Sequence, residues 1–170
     1  METLLAIASR REVREYDGRP LPDDVLERIL DAGRLAGSAR NRQPWRFVLV
    51  ESAEARERLA GLVYMPDNIR GAARIVAIAV RSGGPSGFDA GRAAQNMLLA
   101  AWNEGVGSCP NGLVDPVQVS ELLELAEGEE PAIVLSFGWP ARPRDPQRRS
   151  AAEWSARAER KSLDELLSRV

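Results

Sequence analysis

Arg10, Arg11 and Arg14 are the first side chains able to do chemistry. Guanidinium groups so close in sequence can converge on one anion, such as a phosphate, because each presents a rigid fork of donors that stays charged. Carried on a helix, positions 10 and 14 share a face with 11 beside them; the plainer reading is a solvated, dipole-complementing helix end. A second cluster is Ser38-Ala39-Arg40-Asn41-Arg42-Gln43-Pro44-Trp45. Its neutral side chains at 38, 41 and 43 can read the amide and carbonyl edges of a heterocycle, or bond their own backbone as an ordinary turn. A third is Gly105 to Gly112 (GVGSCPNG), where glycines permit close backbone approach and free N–H groups can donate to a ring. It matches neither GxGxxG nor a phosphate-binding lysine loop. Cys109 inside it lacks a base to activate it, so buried filler is the expectation. Arg160-Lys161 could deliver a cation to a phosphate if the tail docks.

The 170 residues include no histidine and one cysteine. This excludes a Ser-His-Asp triad, a Cys-His dyad, an imidazole-ligated metal, an internal disulfide and a Cys-X-X-Cys redox pair. Redox chemistry here needs a bound cofactor to carry the electrons. The net charge of -2 gives no general field for nucleic acid. Lys161 is the sole lysine. The N-terminus lacks a signal-peptide pattern and no apolar run is long enough to span a bilayer, so the reading is cytoplasmic, with no membrane and no nucleic acid.

The elements that must position these groups follow from periodicity. Leu4, Leu5, Ile7 and Ala8 mark a first amphipathic helix, and Val25, Leu26, Ile29 and Leu30 a second that begins at Pro22-Asp23-Asp24. Trp45 to Val50 is a strand, and helix runs from Ser52 to about Val63. Ile75 to Val80 is a continuous apolar run suited to a central strand. Asp89 opens the longest helix, which ends at Gly105. Asp115-Pro116 caps another helix, and Ala132 to Phe137 is a third strand. Three strands separated by helices give a layered α/β or α+β domain. From Pro140 on, prolines and four arginines at 142, 144, 148 and 149 forbid a long regular element. The stripe Leu163, Leu166, Leu167 needs a surface to cover. An arm that docks on its own body or wraps a second subunit fits; a disordered tail is the alternative.

Arg10-Arg11-x-Val13-Arg14-x-Tyr16, Leu21-Pro22, Ser38-x-x-Asn41-x-Gln43-Pro44-Trp45-x-Phe47, Asp89-x-Gly91-x-Ala93-x-Gln95-Asn96, Gly105-x-Gly107-Ser108 and Arg160-Lys161-x-Leu163 occur in this order along the chain. The pattern resembles the FMN-dependent nitroreductase family. The resemblance implies an α+β, three-layer α/β/α sandwich on a mainly antiparallel sheet. Residues 1–140 would form the FMN-binding body and 141–170 an arm exchanged in a homodimer, with FMN at the interface. It implies that Arg10, Arg160 and Lys161 hold the FMN phosphate, that Arg11 lines the same pocket, and that Arg14 faces the N1/C2 carbonyl side of the flavin. Ser38, Ala39, Asn41 and Gln43 would come from the second subunit. Cys109, Pro110, Asn111 and Gly112 would pass the flavin near N5. By resemblance NADH or NADPH is the reductant, a nitroaromatic or quinone the small-molecule acceptor, and the cycle ping-pong. The alternatives are a specialised dehalogenase, flavin-fragmenting enzyme or dehydrogenase, and a non-catalytic flavin-binding module.

Two residues depart from the pattern. Glu12 stands where serine is usual, and its carboxylate repels a phosphate unless it points away or pairs with an arginine. Gly37 replaces a proline, which loosens the next loop. The stretch from Tyr64 to Asp89 is too short for lid helices, so an open pocket is expected.

Overall fold

The computed structural model describes residues 1–170. Along the chain come α1 (Thr3–Ser9), α2 (Asp23–Arg34), β1 (Trp45–Leu49), α3 (Ala53–Ala60), α4 (Pro66–Arg70), β2 (Arg74–Arg81), α5 (Ser86–Asn103), β3 (Gly107–Asn111), α6 (Pro116–Leu122), β4 (Glu129–Gly138), α7 (Ala151–Ala156) and α8 (Leu163–Leu166). The strands form one sheet in the order β1-β2-β4-β3, with every pair antiparallel.

The central position of β2 explains its unbroken apolar sequence, since both of its faces are covered. Val76, Ile78 and Val80 point into a core built with Leu26 and Ile29 of α2 and Met97 and Ala101 of α5. Ile75 and Ala77 point the other way, toward Leu59 of α3, Ile69 of α4 and Val119 of α6. Helices on both faces give the expected three-layer α+β architecture. No helix is long and apolar enough to cross a membrane.

Several local expectations change. There are four strands, because Gly107–Asn111 is the edge strand β3, paired from Gly107↔Gly138 to Asn111↔Val134. Gly, Ser, Cys, Pro and Asn have little strand propensity, so the conformation is imposed by the partner strand. The first helix stops at Ser9, and Arg10 caps it with extended backbone; the arginines therefore do not share a helical face. The longest helix begins at Ser86, not Asp89. Helix α3 stops at Ala60, and a separate α4 with Pro66 at its start packs against α3.

The tail is more structured than its composition suggests. Ser150 and Glu153 form a capping box that starts α7, which packs on α1 of its own chain. Trp154 Nε1 donates to the Pro146 carbonyl at 2.8 Å. A second capping box, Ser162 with Glu165, starts α8, yet Leu163, Leu166 and Leu167 remain exposed.

Candidate functional site

Two facing glycines create the seat of the site. Gly107 and Gly138 pair across β3 and β4, and the extended segment Arg10–Tyr16 lies over them. A Cβ on Gly107 would come 2.7 Å from Val13 Cβ, and one on Gly138 would come 2.8 Å from the Tyr16 ring. Val13 N donates to the Ser108 carbonyl at 3.0 Å, and the Tyr16 hydroxyl lies 3.0 Å from Ser136 Oγ. Burial of Val13 fixes the segment, while Glu12 and Arg14 on either side stay exposed.

The arginines take different partners. Arg10 makes a forked pair with Glu12, at 2.5 and 3.3 Å, which answers the question of where that carboxylate points. Arg11 donates to the carbonyls of Ala8 and Arg10 at 2.7 and 2.8 Å, and its guanidinium lies 5.5 Å from the Trp154 ring centre. Arg160 arrives from the far end of the chain, donating to the Ala158 carbonyl at 3.1 Å. Arg10, Arg11 and Arg160 line one groove of about 510 Å³ between α1 and α7, walled by Leu4, Ile7 and Ala151. Lys161 is exposed beside Arg160.

Cys109 and Asn111 are buried in the sheet, Pro110 is half-buried and Gly112 is exposed. Burial pushes the Cys109 thiol above its ordinary value, with Arg14 opposing the shift. Asn111 Nδ2 lies within 3.0–3.3 Å of three acceptors, the carbonyls of Cys109 and Val134 and Ser136 Oγ. Its Oδ1 accepts from Asn68 Nδ2 at 2.9 Å. The Asn111 side chain is thus consumed by the fold, and Tyr64 packs on Gly112. Sequence reading missed Asn68 and Tyr64, which stand in and beside the unpredicted α4. A polar residue buried through tertiary contacts leaves no periodic signal.

The loop from 38 to 43 lies elsewhere. Arg40, Asn41 and Gln43 all have left-handed backbone, at φ 54, 54 and 47°, a conformation that costs non-glycine residues roughly 1–2 kcal/mol each. Ser38 Oγ accepts from Gln43 N at 2.8 Å and Asp89 Oδ2 accepts from Ala39 N at 3.2 Å. Gly37 leaves room for the Arg92 guanidinium, with which any Cβ would collide. This loop feeds β1 at one edge of the sheet, whereas Cys109–Asn111 form the opposite edge. With about 4.8 Å between neighbouring strands, three spacings separate the two clusters within one protomer.

The nitroreductase family model matches residues 7–73 and 86–139, spans that hold the Arg10–Tyr16 segment, the 38–43 loop and both site strands. The chain belongs to the nitroreductase family. A relative in Methanothermobacter thermautotrophicus, bearing the provisional name NADH dehydrogenase/NAD(P)H nitroreductase, is 31% identical over 150 residues, covering 83% of this chain and 78% of its own. A chromium(VI) reductase of Pseudomonas sp. strain G-1 is 26% identical over 159 residues, covering 80% of this chain and 65% of its own. Among solved structures, a provisionally named nitroreductase of Desulfovibrio desulfuricans, in complex with FMN, superimposes with a TM-score of 0.82 at 27% identity, over 100% of this chain and 98% of that one. The nitroreductase match ends at Gly138-Trp139, so the arginine-rich tail lies beyond the matched spans.

Proposed function

We propose that the chain is an FMN-dependent oxidoreductase that takes hydride from NADH or NADPH and reduces nitroaromatic, quinone or similar acceptors in a ping-pong cycle. The observation that carries this is the meeting of Arg10, Arg11 and Arg160 in one groove of a nitroreductase-family chain. A phosphate monoester carries close to two negative charges, and a donor set of guanidiniums fits it. Bound FMN would supply the hydride acceptance and return that no side chain here can provide.

In this reading Arg10 and Arg160, assisted by Lys161, hold the phosphate, and Arg11 lines the pocket from its place on Trp154. Arg14 presents a fixed positive charge to the N1/C2 side, where negative charge develops on reduction. The Cys109–Gly112 backbone, braced by Asn68 and Asn111, runs along the N5 edge. Ser38, Ala39, Asn41 and Gln43 come from a second copy, a role supported by the width of sheet that keeps them from β3 in their own. The tail from 141 to 170 belongs with the interface: α7 packs at home, and the exposed leucines of α8 reach the partner. No protein acid or base is required.

The test mixes purified protein with FMN, removes oxygen and adds NADH or NADPH. Bleaching of the bound flavin, followed by recovery on addition of a quinone or nitroaromatic, is the expected result. A protein that takes up no FMN overturns the reading. Bound flavin that neither nicotinamide bleaches favours a flavin-binding module without turnover, the reading to which the Arg10–Glu12 pair points.

A further inference from the structure

A buried chain of hydrogen bonds joins the segment that carries Arg14 to α4. The Tyr16 hydroxyl stands 3.0 Å from Ser136 Oγ. Ser136 Oγ donates to the Cys109 carbonyl at 3.2 Å and accepts from Asn111 Nδ2 at 3.2 Å. Asn111 Oδ1 accepts from Asn68 Nδ2 at 2.9 Å. Ser136 is fully buried, and Asn68 and Asn111 are each 3% exposed. Cys109 and Ser136 pair directly across β3 and β4, which sets the hydroxyl beside the backbone that runs on to Gly112.

A hydroxyl has one proton to give and two lone pairs to accept with. With its proton committed to Cys109 and one lone pair to Asn111, Ser136 Oγ has a single place left, and Tyr16 donates into it. Burial keeps that proton on the phenol by pushing it above its ordinary value. Ser136 Oγ is thereby saturated by the Arg10–Tyr16 segment and by β3, and through Asn111 it reaches α4. A fully satisfied buried network holds one arrangement, and cutting it leaves polar groups unpaired.

We propose that Ser136 is a positioning residue, which locks the Arg14 segment to the Cys109–Gly112 backbone so that the two edges of the flavin site are held as one unit. The proposal rests on the flavin reading, in which Arg14 meets the N1/C2 side and Cys109–Gly112 the N5 edge. A cation fixed beside N1 and C2 favours the reduced, negatively charged flavin. Slack between the two segments therefore lowers the midpoint potential. The groove of Arg10, Arg11 and Arg160 contains none of the network residues, so FMN affinity stays within about threefold, as for sites without shared partners.

The test equilibrates the FMN-loaded protein with a reference dye to obtain the midpoint potential, and measures FMN affinity and Tm alongside. Ser136→Ala lowers the reduction equilibrium about tenfold, a fall of about 30 mV for a two-electron couple. Tyr16 keeps the backbone carbonyl of residue 136, at 3.3 Å, so the phenol is not stranded in that variant. Tyr16→Phe and Asn68→Ser, at the two ends of the chain, each lower the equilibrium about threefold. Together they do no more than the larger of the two alone, because either break releases the same lock. A potential unmoved in folded, FMN-loaded Ser136→Ala overturns the proposal, and so do fully additive effects of Tyr16→Phe and Asn68→Ser. If Ser136→Ala does not fold, that double-variant comparison decides alone. A wild type that takes up no FMN overturns the flavin reading itself and this proposal with it, an outcome distinct from a bound flavin whose potential does not move.

Discussion

The carboxylate of Asp89, buried in the first turn of α5, accepts the amide of Ala39 at 3.2 Å, fifty residues upstream. It also stands 3.9 Å from Arg92, whose guanidinium rests against Gly37. One buried group thus ties the strained 38–43 loop to the longest helix. In Asp89→Ala the loop loses its anchor and a buried amide loses its acceptor, at a cost of about 1–3 kcal/mol. Chemical denaturation measures the loss, and Asp89→Asn, which keeps an acceptor oxygen, should recover much of it.

Glu12 competes for the arginine best placed to hold a phosphate. Replacing it with serine frees Arg10 from its 2.5 Å partner and removes a negative charge beside the pocket. FMN should bind about three- to tenfold more tightly to Glu12→Ser, while Arg10→Ala should bind it about tenfold or more weakly, in line with about 1.5–3 kcal/mol for a hydrogen bond to a charged group. Titration of apoprotein by flavin fluorescence separates the two. Equal affinity in wild type and Glu12→Ser would show that the carboxylate turns away at no cost.

Much of this site was legible because its residue types are chemically committed. A cluster of arginines suggests an anion, and the absence of histidine leaves the electrons to a cofactor, whatever the fold. The apolar runs of β2 and β4 and the spacing of α2 located the core for the same reason: burial demands side chains of one kind. Strand β3 was not legible, because Gly107, Ser108, Cys109, Pro110 and Asn111 are extended by their pairing with β4 and not by their own preference. The groove that gathers Arg10, Arg11 and Arg160 was legible only through the family resemblance, since its walls depend on α7 folding back onto α1.

Alkaline pH should weaken the fold through two buried acids. Burial raises the Cys109 thiol above its ordinary value of 9.0 and the Tyr16 phenol above 10.0. Each group loses its proton more readily in the unfolded chain, so stability holds below those ordinary values and falls as pH rises through and beyond them. Urea unfolding at pH 7, 9 and 10.5 follows the decline, at up to about 1.4 kcal/mol per pH unit for each group. Cys109→Ser and Tyr16→Phe should each flatten part of the slope; an unchanged slope in the double variant would assign the loss to other groups.

The exposed leucines of α8 give a direct test of the second copy. Leu163, Leu166 and Leu167 are 80, 65 and 54% exposed in the protomer, a stripe that association would cover. Sedimentation should find a dimer for the wild type. Leu163→Asp/Leu166→Asp should shift it toward monomer and release FMN in parallel. A monomeric wild type that keeps FMN tightly would remove the partner from the site.

The facing glycines under Val13 and Tyr16 carry one more implication. A single methyl at position 107 would act as a wedge, lifting the extended segment that bears Glu12 and Arg14 while leaving every charge unchanged. The positions of Glu12 and Arg14 are therefore adjustable from beneath, by side-chain volume alone. Evolution or an engineer could retune them there as surely as by exchanging an arginine.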